Sequence, residues 1–315
     1  MKNKKSSLLF AAGLLAASSA SAMINIDTVF VGDAGNSNDT TGYGGVGYDY
    51  HIGTHEVTNS QYTAFLNATA ATDTHSLYNS SMNSSTHGGI TRAGSDGSYS
   101  YSVKSGFENK PVNFVSFWDA ARFSNWLTNG GGLGDTETGM YNLNGITNPT
   151  NNTVARQLDF SLGQNGVAVA SENEWYKAAY YDGNGGYTLY PTQSNSITTA
   201  DANYNSSVGT VTDVGTYAAD PSHYGTFDQG GNVWEWNDAI VSTSTRGLRG
   251  GSFNFNDSFL QSSLRFGGNP TDENNNIGFR VSSLAPIPEP SAYAAILGCL
   301  GLSLALTRRK GRGTL

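Results

Sequence analysis

Helix-forming signals in this 315-residue chain are confined to three short places, and long polar stretches separate them. Thr58-Asn59-Ser60-Gln61 reads as a capping box, in which a hydroxyl and an amide three residues on satisfy the first free amides of a helix. Tyr62, Phe65 and Leu66 follow on one face. Ser116-Phe117-Trp118-Asp119 is a looser version, with aspartate in place of glutamate; it leads into Ala120, Phe123, Trp126 and Leu127, and Gly130 is the natural stop. Ser171-Glu172-Asn173-Glu174 is a full box with Trp175, Ala178 and Ala179 behind it, and this helix is expected to end near Asp182-Gly183. Residues 68–109 and 129–165 have few apolar anchors. Loops of that length are uncommon in compact domains unless they pack over a functional surface or are held by ions. Ile24–Val31 and Tyr48–Val57 read as short strands around a glycine-rich turn at 36–47. With 39 glycines and only 13% charged residues, the pattern favours a loop-rich fold with many turns over a helical bundle.

Both ends carry their own signals. Lys2, Lys4 and Lys5, the apolar run Leu8–Ala17 and the small residues Ala20-Ser21-Ala22 form a secretory signal peptide over residues 1–22, with Met23 the expected mature start. An uncleaved anchor is the alternative, against which the run is short of the ~20 residues of a span. Residues 288–315 begin with Pro288-Glu289-Pro290. An apolar run from Ala292 to Leu306 and the basic cluster Arg308, Arg309, Lys310 and Arg312 follow. Physically this is a short membrane-inserting segment with a stop-transfer charge. One domain is expected over residues 23–283, joined to that tail by a linker at 284–287.

The body between the ends keeps ten basic and 24 acidic residues, a net charge of −14. Such a body repels phosphate backbones, so no nucleic-acid partner is expected. The single cysteine, Cys299, lies in the tail. The domain therefore has no disulfide, no thiolate metal site and no cysteine nucleophile. His51 and His55 sit four apart in a strand segment, about 13 Å from each other, too far to share a metal. His75, His87 and His223 lie in loops with no spacing that suggests two histidines and a carboxylate around iron.

Six segments resemble, in order, motifs of the formylglycine-generating enzyme family, also called sulfatase-modifying factors. They are Ile52–Tyr62, Pro111–Leu127, Ala170–Ala179, Gly231-Asn232-Val233-Trp234-Glu235-Trp236, Arg249-Gly250-Gly251-Ser252-Phe253 and Ile277–Val281. The resemblance covers about residues 25–283. It implies the family's irregular α+β fold, related to the C-type-lectin fold. The tail is similar to the PEP-CTERM sorting tail of Gram-negative bacteria, which implies signal peptidase and an exosortase as processing partners. It also implies export to the outer surface or extracellular matrix, with transient anchoring in the inner membrane. An ordinary C-terminal anchor is the alternative.

Active members of the family oxidise a sulfatase cysteine to formylglycine with Cu(I) held by two thiolates. Those two positions are Phe255 and Leu260 here. Neither can bind copper, so neither copper nor the oxidase reaction is expected. The family also implies structural calcium: Glu235 with the carbonyls of Gly230, Gly231 and Val233 for one site, Asn203 and the backbone of Tyr204 for another, with Asp213 as a guessed acidic partner. Glu235 can equally be a buried glutamate bonded to loop amides. Trp234 and Trp236 either pack the core or line a ligand groove. The expected function is that of a monomeric, non-catalytic binding or structural module whose partner is an extracellular polysaccharide or a surface protein. The alternative is a divergent oxidoreductase of the formylglycine-generating or nonheme iron type.

Overall fold

The three capping boxes form where the sequence predicts them. Thr58 precedes α1 (Asn59–Thr69), and its hydroxyl accepts from Gln61 N while Gln61 Oε1 accepts from Thr58 N. Ser116 and Asp119 close the same reciprocal pair ahead of α3 (Phe117–Thr128), so the aspartate serves as fully as a glutamate. Ser171 and Glu174 do so ahead of α4 (Glu172–Tyr180). Gly130 follows α3 with φ +83° and donates its amide to Leu127 O, as a terminating glycine should. α4 stops two residues before the predicted point. Tyr181 turns extended to bridge Tyr187, and the Asp182–Gly186 turn closes on itself through Asp182 N to Gly186 O.

The computed structural model describes residues 24–146 and 153–287. The expected signal peptide, the Pro288-Glu289-Pro290 motif, the expected sorting tail and Cys299 lie outside the described residues. Within them no helix is long and apolar enough to cross a membrane.

The strands are shorter than expected. β1 is Thr28–Val31 and β2 Tyr50–Gly53. The segment read as a polar loop at 68–109 holds a one-turn helix, α2 (Ser81–Ser84), and a hairpin of β3 (Ile90–Ala93) and β4 (Ser100–Val103). Two side chains tie the hairpin to α1: Asn67 donates to Tyr101 O and accepts from Tyr101 N, both at 2.9 Å, and Tyr101 donates its hydroxyl to Ala70 O at the end of the helix. Arg92, on the same face as buried Ile90 and Tyr101, lies over the Tyr78 and Tyr99 rings. The short, serine-rich strands carry too little apolar alternation to announce themselves in sequence.

Two four-stranded sheets make the frame. β5 (Val167–Val169), β6 (Trp234–Ser242), β7 (Thr245–Arg249), β8 (Phe266–Gly268), β9 (Ile277–Phe279) and β10 (Val281–Ser283) complete the set. One sheet runs β1-β2-β10-β5, antiparallel throughout, and the other runs β8-β7-β6-β9 with β6 and β9 parallel. β9 and β10 are separated only by Arg280, so one extended segment passes from one sheet to the other. The main core lies among α1, α3 and the β6–β9 pair. There Phe65, Phe123, Trp126, Trp236 and Phe279 are fully buried, with Phe123 edge-on to Phe279 at 5.4 Å. A second core under α4 joins Trp175, Tyr176 and Tyr180 to Tyr50 and Ile52.

Candidate functional site

The Arg280 switch point sets the geometry of the Gly231–Trp236 motif. Gly231 has φ +85°, and a Cβ there would stand 2.2 Å from Asn203 O, so only glycine allows the backbones to approach. Asn232 then donates its amide to Asn203 O at 2.8 Å, while its side chain accepts from Thr212 N and donates to Glu56 at 3.1 Å. Val233 packs with Val211 and Phe253. From Trp234 onward the chain is strand, and residues alternate between the two faces.

Glu235 is fully buried. Arg280 Nε donates to its Oε2 at 2.6 Å and Arg280 Nη2 to its Oε1 at 2.8 Å, and Trp175 Nε1 adds a third bond at 2.8 Å. The expected calcium role at Glu235, with Gly230, Gly231 and Val233, thus meets a carboxylate whose charge is already matched by a buried guanidinium. A cation there would have to displace an ion pair. Arg280 also donates to Gly53 O, Thr54 O and Phe227 O, and so ties the end of β2 to β6. Asp213, the guessed partner of Asn203, points away: its side chain is 54% exposed and pairs with Lys110 at 3.4 Å. The Tyr204 carbonyl accepts from Ser207 N.

Asn203 itself is buried, and its Oδ1 has no donor; neither has Oε2 of buried Glu56. Both side chains are bonded to Asn232. Burial, then the nearby Asp228 and Glu235 carboxylates, push the Glu56 acid well above its usual range.

Phe255 and Leu260 are the residues expected at the family's cysteine positions. Leu260 is sealed in a cluster with Tyr190, Ala202 and Tyr204. Phe255 is half-buried, edge-on to Phe259 at 4.7 Å and to Trp234 at 5.5 Å. Phe266, 52% exposed, lies 5.7 Å from Trp234. The place is a closed aromatic patch rather than a cleft. Trp234 forms its floor, whereas Trp236 is excluded from any groove: it is fully buried and spends its Nε1–H on Val115 O.

The five histidines each have separate partners. His51 meets Phe30, His55 stacks on Phe227, His75 lies 3.3 Å from Glu137, His87 stacks on Phe253, and His223 abuts Tyr224. Burial and then the Arg280 charge hold His55 down at about 4. Among the described residues no three His, Cys, Asp or Glu side chains come together to hold a metal ion. An iron triad of His75, His87 and His223 is therefore not assembled.

A family model for the sulfatase-modifying factor enzyme 1-like domain matches residues 43–284. The chain belongs to this family. Two solved structures share its mixed α/β, loop-rich fold. Treponema denticola variable protein 1 is 20% identical over 82% of this chain and 95% of its own, with a TM-score of 0.55. CarF is 22% identical over 82% of this chain and 98% of its own, with a TM-score of 0.54. No curated protein matches the sequence.

Sequence reasoning missed the charged groups that hold the family motifs together. Glu172 receives Arg249 at 2.8 Å and Arg265 at 2.7 Å, and Arg249 is also stacked between Tyr43 and Tyr176. Glu174, the capping glutamate of α4, also receives Arg156, Tyr48 and Ser282. Burial alone would raise the Glu174 acid, but the Arg156 charge and these bonds outweigh it and hold it down at about 2. A sequence shows that Glu174 can cap; it does not show that Arg156 arrives on the same oxygens.

Proposed function

We propose that this chain is a non-catalytic binding module of the sulfatase-modifying factor family, exported and displayed at the cell surface. The observation that carries the reading is the replacement of the copper-binding pair by Phe255 and Leu260, packed into an apolar patch with no thiol among the domain's residues. A hydroxylated or apolar surface of an extracellular polysaccharide or surface protein would meet Phe255, Phe259 and Phe266, whose rings offer area at little entropic cost. The signal peptide, the PEP-CTERM-like tail and the kinship with the C-type-lectin fold belong to this proposal and rest on the sequence resemblance. Calcium belongs to it at Asn203, whose buried Oδ1 lacks a donor and is a hard oxygen ligand of the kind that suits that ion.

Two measurements test the reading. A sulfatase-motif peptide incubated with the protein, copper and oxygen should show no mass change; conversion of its cysteine to formylglycine would overturn the proposal. A panel of extracellular polysaccharides and surface proteins should yield a ligand whose binding weakens on Phe266→Ala. The absence of any ligand would count against a binding role.

A further inference from the structure

The first turn of α3 opens on a cavity of about 320 Å³, away from the Gly231–Trp236 motif and the aromatic patch. This is at the lower end of the range for small-ligand sites. Trp118, Asp119 and Arg122 reach it from one helix face, as the spacing of three and four residues requires. Glu273 comes from the β8–β9 loop and His75 from the α1–α2 loop. The cavity shares no residue with the aromatic patch, so each site stands or fails alone.

Its lining is polar and unsatisfied. Trp118 and Arg122 are at most 1% exposed, yet Trp118 Nε1 and Arg122 Nη1 have no hydrogen-bond partner. Arg122 is otherwise held rigidly: Nε and Nη2 bind Glu137 at 2.6 and 3.2 Å, and Nη2 also binds Ile146 O at 2.7 Å. Its remaining N–H groups are therefore fixed in direction. Asp119 uses Oδ2 for the Ser116 amide and hydroxyl, at 2.8 and 2.7 Å. Glu273 receives Asn79 and lies within hydrogen-bonding reach of Asp119. Burial, then the Glu273 charge, push the Asp119 acid up to about 8, and burial raises Glu273 as well. Both acids therefore hold their protons more tightly than an isolated carboxyl does.

We propose that this cavity binds an uncharged polyhydroxylated ligand, a single sugar residue, through Trp118, Arg122 and the Asp119–Glu273 pair. The chemistry narrows the class by what each alternative would leave unpaired. An anion would face the carboxyl pair. A metal ion would find only two carboxyls beside a guanidinium. An organic cation would meet the Arg122 charge and leave two N–H donors empty. An apolar group would leave every polar atom unmatched, and each such atom costs free energy. A hydroxyl both donates and accepts, so neighbouring hydroxyls of one ring can accept from Arg122 and Trp118 while donating to the carboxyls.

Calorimetric titration of the full chain with D-glucose, D-galactose, D-mannose and N-acetyl-D-glucosamine tests this, with D-glucuronate and D-glucosamine as charged probes. At least one neutral sugar should bind better than either charged probe. Glu273→Gln and Trp118→Phe should each weaken it roughly 10-fold, the loss expected for one unpaired polar group. The melting temperature reports whether each variant folds. Glu273→Gln keeps the size of the side chain and decides the matter alone if Trp118→Phe fails to fold. No binding of any neutral sugar, binding unmoved by Glu273→Gln, or tighter binding of a charged probe would overturn the proposal.

Discussion

Replacing Glu235 by glutamine distinguishes an ion pair from a calcium ligand at the centre of the Gly231–Trp236 motif. The substitution keeps the shape of the side chain and removes its charge. Arg280 would remain fully buried, with its donors to Gly53 O, Thr54 O and Phe227 O intact and its counter-charge gone. Breaking a buried pair by neutralising one partner costs about 3–5 kcal/mol. In a domain of this size each kcal/mol moves the melting temperature by about 2–4 °C, so Glu235→Gln should lower it by roughly 6–20 °C. Thermal unfolding followed by circular dichroism, in calcium and in chelator, is the assay. The loss should be equal in both conditions, because Arg280 needs Glu235 whether or not calcium is present. A loss seen in calcium and abolished by chelator would refute the reasoning and return Glu235 to a metal. A shift below about 2 °C in both conditions would show that the Arg280 charge is not paid for by Glu235.

Three further outcomes follow from the geometry. Asp119 holds its proton more tightly folded than unfolded, so its contribution is complete below the ordinary carboxylate range and declines as pH rises through about 8; Asp119→Asn should flatten the fall in urea-measured stability between pH 5 and pH 8. Glu174 behaves oppositely: its contribution is present above the ordinary range and lost as pH falls through about 2, so acid unfolding of Glu174→Gln should lack that component. Gly231→Ala places a Cβ 2.2 Å from Asn203 O at a positive φ and should cost about 2 kcal/mol or more in chemical denaturation, against about 1 kcal/mol for removing the α4 cap with Ser171→Ala.

How much was legible varies element by element. Each capping box is a local event: the hydroxyl, the amide and the residue three positions on lie within one turn. Thr58, Ser116 and Ser171 could therefore be placed from sequence alone, and so could Gly130. The family was likewise readable in six ordered segments.

Charge pairing was not legible. Glu235 and Arg280 are 45 residues apart, and Glu172 meets Arg249 from 77 residues away. In sequence Glu235 was an acid waiting for a partner, and calcium was as good a candidate as an arginine. The β3–β4 hairpin was hidden for a related reason, since an asparagine on α1 helps to anchor it and only Ile90 and Tyr101 of its eight residues are buried in the core. Local chemistry thus determined the helix starts and the family. Only the tertiary structure decided which buried charges meet, that Trp234 floors a patch while Trp236 is sealed, and that Trp118, Asp119 and Arg122 share a cavity with Glu273. The physical reason is that a carboxylate's role depends on what shares its low-dielectric surroundings, and that is settled by chain segments distant in sequence.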